Sequence, residues 1–173
     1  MLNVAVVGLG WWGRTIVSVL RGSTRLRVAK AVEVNAAAAA ALNAQHGIPV
    51  VSEFSNVLRD PSIKGVVLCT PHTQHTDQIV AAAQAGKHVF CEKPLSMNRA
   101  DALRAIDAVN ANKVALAVGH ERRFEPPVIE LMRVVKSGEL GVPLQIEANF
   151  SQDKFLSLPA DNWRLSGKDR NLS

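Results

Sequence analysis

Three closely spaced glycines near the start of the chain constrain the fold more than any other feature. Gly8, Gly10 and Gly13 stand between an almost wholly apolar run, Leu2 to Val7, and a segment with helical apolar spacing that begins near Trp11. An apolar run without alternation is typical of a strand that is buried on both faces of a parallel sheet. The order of strand, glycine loop and helix therefore predicts a parallel α/β architecture.

Short apolar runs continue to alternate with helical segments as far as residue 118. We expect strands at 2–7, 26–34, 50–51, 64–69, 87–91 and 114–118, and helices at 11–21, 36–45, 54–59, 73–85 and 99–110. Asn35 and Asn98 are expected to cap the second and the last of these helices, and Gly47 to end the second. The alternation predicts an α/β fold with a Rossmann doubly wound parallel sheet.

The pattern changes after residue 122, and we expect a dinucleotide-binding domain over 1–122 and the start of a second, incomplete α+β domain over 123–173. Pro126 and Pro127 suit the first turn of a helix that runs to Lys136. The segment from Leu144 to Ser151 alternates apolar and polar residues, which predicts a half-exposed antiparallel strand. Because a lone strand is unstable in water, we expect either disorder after about residue 140 or pairing of this segment with another copy, and we favour a homo-oligomer.

The glycine loop has the spacing G-x-G-x-x-G, and Glu33 follows its last glycine by 20 residues, at the end of the next predicted strand. Gly8 suits the tight turn, Gly10 permits close approach to a pyrophosphate, and Gly13 permits close packing of helix and strand. Free N–H groups at the helix start attract a diphosphate. Glu33 can accept hydrogen bonds from both ribose hydroxyls and would repel a 2′-phosphate, which favours NAD over NADP. The candidate dinucleotide site comprises Gly8, Leu9, Gly10, Trp11, Trp12, Gly13 and Glu33.

Composition excludes several other classes of protein. The 173 residues are 47% hydrophobic and carry a net charge of +5, but the basic residues are dispersed and there is no tyrosine, so we expect no nucleic-acid site. The longest apolar run has seven residues, from Ala36 to Leu42, whereas a membrane span needs about 20. Cys69 and Cys91 form neither a disulfide framework nor a metal-ligand set, so we expect a cytoplasmic protein without a metal.

Three further motifs carry a resemblance to a known family. The segment from Gly86 to Ser96, which contains Glu92-Lys93-Pro94, resembles the signature of the Gfo/Idh/MocA oxidoreductases, the glucose–fructose oxidoreductase and inositol dehydrogenase family. Residues 70–75 and 119–126 resemble two further motifs of that family, and Trp163-Arg164 is similar to a pair that precedes its catalytic motif. The resemblance extends over the whole chain and implies that the chain is the N-terminal half of such an enzyme.

The resemblance implies roles for residues that follow the predicted strands. Lys93 would take or give the proton of a substrate hydroxyl, and Glu92 would orient Lys93 or hold the nicotinamide ribose. The alternative for Lys93 is a surface ion pair with Glu92. His75 either caps its helix or contacts the cofactor, and the bond from Lys93 to Pro94 is expected to be cis. The other residues assigned to cofactor binding in this way are Thr70, Pro71, Arg122, Trp163 and Arg164.

The resemblance implies an NAD(P)-dependent oxidoreductase that acts on a sugar, a polyol or a related hydroxyl compound. In this family a second domain supplies an aspartate and a histidine that usually acts as the acid or base partner, and His46, His88 and His120 do not match that histidine. Two alternatives therefore stay open. The chain is a truncated, catalytically inactive dinucleotide-binding protein, or it derives from an NAD-dependent glycosidase of the same family.

Overall fold

The computed structural model describes residues 1–151, 153, 158, 159, 162 and 165. These residues divide into two compact units, with the boundary between Gly119 and His120. The first unit contains the parallel sheet and its helices, and the second contains one helix and the segments that follow it.

The first unit is built on six parallel strands. They are β1 (Leu2–Val7), β2 (Leu26–Val32), β3 (Val50–Val51), β4 (Gly65–Leu68), β5 (His88–Cys91) and β6 (Leu116–Val118). Their order in the sheet is β3-β2-β1-β4-β5-β6, and each neighbouring pair is parallel. The chain reverses its direction of winding between β1 and β4, and in sheets of this kind ligands bind at the carboxyl ends of the strands beside that reversal. The Rossmann-type doubly wound sheet predicted from the sequence is confirmed.

Five helices connect these strands, and a sixth lies in the second unit. They are α1 (Trp11–Leu20), α2 (Ala36–His46), α3 (Phe54–Leu58), α4 (His75–Gln84), α5 (Arg99–Ala111) and α6 (Pro126–Ser137). The predicted caps of α2 and α5 are confirmed, because the Asn35 side chain accepts from the N–H of Ala38 and the Asn98 side chain accepts from that of Asp101. Gly47 ends α2 in the left-handed conformation with φ of 65°, as its sequence position predicted.

Apolar side chains fill both faces of the sheet, as the continuous apolar runs predicted. Successive residues of a strand point to opposite faces, so Ala5 and Val7 of β1 join one core while Val4 and Val6 join the other. The first core contains residues of α3, α4 and α5, and the second contains residues of α1 and α2. The helices are therefore divided between the two faces, and the carboxyl edge of the sheet is left for the connecting loops.

Some predicted element boundaries were wrong. β2 ends at Val32 rather than residue 34, and beyond it the Glu33 N–H still donates to the carbonyl of Val51 while the Glu33 side chain accepts from the N–H of Asn35. The helix expected over 73–85 is divided into a 3-10 turn, His72–Gln74, and α4. Strands β4, β5 and β6 are shorter by one or two residues at their ends than expected.

The second unit does not contain the predicted strand. The α6 helix is present with Pro126 and Pro127 in its first turn and Gly138 in the left-handed conformation after its end. Residues 144–151, however, have no strand structure, and the side chains of Leu144, Ile146 and Phe150 are exposed. The expectation of a strand was wrong because, among the described residues, no neighbouring strand supplies the backbone partners that a strand needs.

Within the described part of the chain, none of the helices has both the length and the apolar character needed to cross a membrane.

Candidate functional site

The glycine loop after β1 is held in a geometry that excludes a side chain at two of its three glycines. Gly8 has φ of 88°, and a Cβ at this position would lie 2.9 Å from the carbonyl oxygen of Cys69, beyond the end of β4. A Cβ at Gly13 would lie 1.9 Å from the carbonyl oxygen of Gly8. A Cβ at Gly10, in contrast, would meet no atom within 4 Å. Gly8 and Gly13 are thus required by packing within the protein, whereas the space beside Gly10 is open.

Glu33 is tied to the glycine loop by its carboxylate. One oxygen, Oε2, accepts from the N–H of Leu9 at 2.7 Å, and the other, Oε1, accepts from the N–H of Asn35 at 2.9 Å. A carboxylate has about four acceptor positions, so both oxygens can accept further hydrogen bonds. The end of β2 and the loop after β1 therefore form one structural unit that carries a half-buried negative charge.

The first turn of α1 presents backbone donors beside Gly10. Gly10 precedes the helix without a side-chain cap, and no acidic residue lies in its first turn. The side chain of Trp11 is exposed, that of Trp12 is half-buried, and their ring centroids are 5.3 Å apart. The indole N–H of Trp12 is buried without a hydrogen-bond partner. Uncapped N–H groups at a helix start, with the helix dipole behind them, attract an anion such as a diphosphate.

Thr70 and Pro71 follow β4, beside the glycine loop. The methyl group of Thr70 would lie 3.2 Å from a Cβ at Gly8, which places these two loops in contact. The Thr70 hydroxyl donates to the side-chain oxygen of Gln78 on α4 at 2.6 Å. This hydrogen bond fixes the Thr70 rotamer and leaves the hydroxyl oxygen able to accept from a ligand.

Glu92 and Lys93 follow β5, and their side chains have different surroundings. Glu92 is only 8% exposed, and its carboxylate packs against Gly119 after β6, where a Cβ would lie 2.7 Å from Oε1. Lys93 is exposed, and within the described residues no ion pair joins its ammonium to Glu92. The backbone N–H of Lys93 approaches Glu92, at 3.3 Å from Oε2. The bond from Lys93 to Pro94 is cis, which confirms the prediction from the sequence.

The two cysteines lie near the Glu92 carboxylate and are both free thiols. Burial, and secondarily the charge of Glu92, raises the pKa of Cys91 to about 12. Burial likewise raises the pKa of Cys69 to about 12, with smaller contributions from Glu92 and Cys91. Both side chains are therefore neutral at physiological pH and are poor nucleophiles.

His75 connects the ends of β4 and β5. Its side chain is fully buried at the start of α4, with Nδ1 lying 2.7 Å from the carbonyl oxygen of Pro94 and Nε2 lying 3.0 Å from that of Thr70. The ring thus joins the loop that carries Thr70 to the turn that carries Lys93. The contacts are to the backbone, so His75 lies behind the loops that form the site.

Three residues assigned from the sequence are not placed with this group. Arg122 belongs to the second compact unit, where its guanidinium pairs with Glu125 at 3.1 Å and lies 4.3 Å from the ring centroid of Phe150. Trp163 and Arg164 lie outside the described residues. Among the residues that the structure describes, no group of three or more potential ligands could hold a metal ion.

The structure adds residues that the sequence reasoning missed. Gly119 leaves the room that the Glu92 carboxylate occupies, and Gln78 accepts from Thr70. At the opposite, amino edge of the sheet and away from this site, Lys87 before β5 is 6% exposed, and its ammonium donates to the carbonyls of Asp60 at 2.7 Å and Ile63 at 2.9 Å. The sequence could have indicated Gly119, because this glycine directly follows β6, the strand that pairs with β5. No sequence signal identifies the backbone acceptors of Lys87.

These features fit an NAD molecule. The open space beside Gly10 and the uncapped start of α1 suit the diphosphate side of the site, and the Glu33 carboxylate suits adenosine ribose hydroxyls. Thr70, Pro71, Glu92 and Lys93 follow the two strands that lie beyond the reversal of the sheet, where a nicotinamide binds in folds of this kind.

Comparisons with a family model and with individual proteins agree on one family. Residues 2–120 match the family model GFO_IDH_MocA, which is described as an oxidoreductase family with an NAD-binding Rossmann fold. The chain is 39% identical over 111 residues to myo-inositol 2-dehydrogenase of Thermotoga maritima, an alignment that covers 64% of this chain and 33% of that protein. It is 37% identical over 148 residues to inositol 2-dehydrogenase of Mycolicibacterium smegmatis, which covers 83% of this chain and 42% of that protein.

A solved structure agrees with this result. The crystal structure of an NAD-binding protein from Listeria innocua superposes with a TM-score of 0.75 at 26% identity, over 81% of this chain and 41% of that one. The chain spans less than half the length of each of these relatives. With its glycine loop, its Glu-Lys-Pro turn and a match over most of its length, the chain belongs to the Gfo/Idh/MocA family of oxidoreductases and carries the NAD-binding Rossmann fold of that family.

Proposed function

We propose that this chain is the NAD-binding part of a dehydrogenase that oxidises a hydroxyl group of a polyol, and that Lys93 accepts the hydroxyl proton. One observation carries the proposal: the loops after β1, β4 and β5 are linked to one another at one edge of the sheet through Gly8, Thr70 and His75. The names of the related inositol dehydrogenases support a polyol as the substrate class.

The residues at this edge of the sheet have separate roles in cofactor binding and in proton transfer. The first turn of α1 binds the diphosphate, and Glu33 accepts hydrogen bonds from the adenosine ribose. NAD, when bound, supplies the acceptor for the hydride that leaves the substrate carbon. The Lys93 side chain is exposed and pairs with no carboxylate among the described residues, and in its neutral amine form it can accept the proton of a hydroxyl group. Glu92, whose carboxylate packs against Gly119, positions the backbone of Lys93.

Titration of the chain with NADH and with NADPH tests the cofactor part of the proposal. Trp11 and Trp12 adjoin the site, so their fluorescence reports binding. We expect NADH to bind at least about tenfold more tightly than NADPH, because the Glu33 carboxylate repels a 2′-phosphate. Tighter binding of NADPH would overturn the assignment of Glu33.

Replacement of Lys93 tests the chemical part. In the protein that carries this sequence, Lys93→Ala is expected to lower kcat by about two orders of magnitude or more with myo-inositol and NAD, because proton transfer by a positioned side chain contributes this much. NADH affinity is expected to stay the same, and Lys136→Ala, at the exposed end of α6, serves as the matched control. Unchanged turnover in Lys93→Ala removes Lys93 from the mechanism. Binding of NADH without turnover of any polyol would favour a non-catalytic dinucleotide-binding protein.

We further propose a domain division at 1–122 and 123–173 and a cytoplasmic homo-oligomer. The support for association is the exposed apolar side chains of the second unit, which include Ile129, Leu131 and Met132 on α6. Both cysteines are unpaired, which is consistent with a reducing compartment. Sedimentation equilibrium over a range of concentrations tests the association, and a monomer at every concentration would contradict it.

A further inference from the structure

His75 is a buried titratable side chain whose ring nitrogens both face acceptors. The ring is 0% exposed, so water cannot serve as an alternative partner. The Nδ1 atom lies 2.7 Å from the carbonyl oxygen of Pro94, and the Nε2 atom lies 3.0 Å from that of Thr70. Both distances are within the normal range for an N–H···O hydrogen bond.

The two carbonyl oxygens determine which protonation form of the His75 ring can hydrogen-bond to both of them. A carbonyl oxygen can only accept a hydrogen bond, and a neutral imidazole has one N–H and one bare nitrogen. A neutral ring would therefore direct a lone pair at one of the two carbonyl oxygens. A cationic ring has two N–H groups and donates to both, and a buried cation is tolerated where its donors are hydrogen-bonded in this way.

We infer that His75 is a positioning residue that donates from both ring nitrogens at once and thereby holds the Lys93–Pro94 turn at a fixed distance from the end of β4. Its importance for chemistry rests on the proposed function, which gives Lys93 the proton-transfer role. Its two hydrogen bonds stand on the geometry alone. The ring is fully buried and both of its hydrogen bonds are to backbone carbonyls, so it acts through the position of Lys93.

The segments that meet at His75 carry few other charged groups. The His72 ring lies 5.8 Å from the His75 ring, centroid to centroid, in an edge-on arrangement. Asp77 on α4 pairs with Arg104 of α5 at 2.7 Å. The remaining titratable groups on these segments are Cys69 before Thr70, and Glu92 and Lys93 before Pro94.

Nitrogen NMR of the chain labelled with 15N-histidine at pH 7 tests the hydrogen bonds directly. The signals of His75 are identified by through-bond correlation in the unmodified protein and by their absence in His75→Gln. We expect both ring nitrogens to carry a proton that exchanges slowly with solvent. A ring with one bare nitrogen would overturn the inference, whatever the outcome of the cofactor titration.

The positioning role is tested with the same variant. His75→Gln is expected to move the backbone amide signals of Thr70, Glu92 and Lys93 and to weaken NADH binding about tenfold, because the cofactor-side residues Thr70 and Glu92 are no longer held in place relative to each other. The matched control is His46→Gln, since His46 lies on the surface at the end of α2, where its ring contacts Arg21. A folded His75→Gln variant with unchanged amide signals and unchanged affinity would overturn the positioning role.

The two proposals fail in different ways. If the unmodified chain does not bind NADH, the proposed function fails, while the ring protonation and the amide signals of Lys93 still decide the role of His75. If His75→Gln does not fold, the nitrogen spectrum of the unmodified chain decides the hydrogen bonds, and the nearly isosteric His75→Asn is used for the amide signals.

Discussion

Substituting alanine at Gly13 and at Gly10 separates the requirements of the fold from those of the cofactor. A Cβ at Gly13 would lie 1.9 Å from the Gly8 carbonyl oxygen, whereas real Cβ contacts are not shorter than 3.0 Å. In Gly13→Ala the start of α1 must therefore move away from the glycine loop, in a region where Gly13 itself is buried. Forced overpacking of this kind costs about 1–3 kcal/mol of unfolding free energy.

For a chain of this size, such a loss lowers Tm by about 2–12 °C, because each kcal/mol shifts Tm by about 2–4 °C. The shift is measured by circular dichroism, and NADH affinity is measured by fluorescence on the same samples. We expect Gly13→Ala to lose both stability and NADH binding, because the displaced helix start no longer presents its N–H groups as before.

Gly10→Ala provides the contrast. Its φ of −59° suits alanine, and the added methyl group would meet no protein atom within 4 Å. We expect Tm to fall by no more than about 4 °C, because alanine in place of glycine at a helix N-cap costs about 1 kcal/mol or less. NADH binding is expected to fall, because the methyl group enters the space assigned to the diphosphate. An unchanged Tm in Gly13→Ala, or unchanged NADH affinity in Gly10→Ala, would refute this reasoning.

Three further predictions follow from the charges and hydrogen bonds. The Lys30 ammonium at 2.6 Å, with the hydroxyl and N–H of Ser62, holds the pKa of Asp60 well below its usual range, so this stabilisation is present above about pH 4 and is lost as the pH falls further. Asp60→Asn should therefore lower Tm at pH 7, and its Tm should decrease less steeply below pH 4 than that of the unmodified chain. Equal slopes of Tm against pH in the two proteins would contradict this. Because burial raises the pKa of both cysteine thiols to about 12, iodoacetamide at pH 8 should modify them only after unfolding in urea, as read by mass spectrometry. The same shift means that stability falls as the pH rises above about 9, since unfolded thiols ionise first. Lys87→Met should lower the unfolding free energy measured in urea by about 1–3 kcal/mol, because the carbonyls of Asp60 and Ile63 lose their hydrogen-bond donor. A smaller loss would show that these carbonyls find another donor.

Local sequence signals predicted most of the parallel sheet. The bounds of β1 and the caps at Asn35, Gly47 and Asn98 agree with the structure, because each depends on residues that are neighbours in the chain. The segment from Leu144 to Ser151 shows the limit of this approach. Its alternation is the same as that of a strand, but strand formation depends on a partner that lies elsewhere, and the described residues supply none.

In the candidate site, too, the sequence predicted local features but not those that depend on residues far apart in the chain. The spacing of Gly8, Gly10 and Gly13 identified the loop, but the reason for each glycine differs and is visible only in three dimensions. The hydrogen bonds of His75 to Thr70 and Pro94 join segments up to 19 residues apart. The contact of Glu92 with Gly119 likewise depends on the pairing of β5 with β6, which the local pattern does not specify.

The two hydrogen bonds that Glu33 accepts have a consequence for the free energy of ligand binding. A free glutamate side chain loses about 1.5–2 kcal/mol of rotamer entropy when it is fixed in one conformation. In this chain the N–H groups of Leu9 and Asn35 already fix that rotamer, so ordering of the carboxylate belongs to folding and not to ligand capture. A ligand that meets this edge of the sheet encounters acceptors already in place, so ordering of the Glu33 side chain does not subtract from its binding free energy.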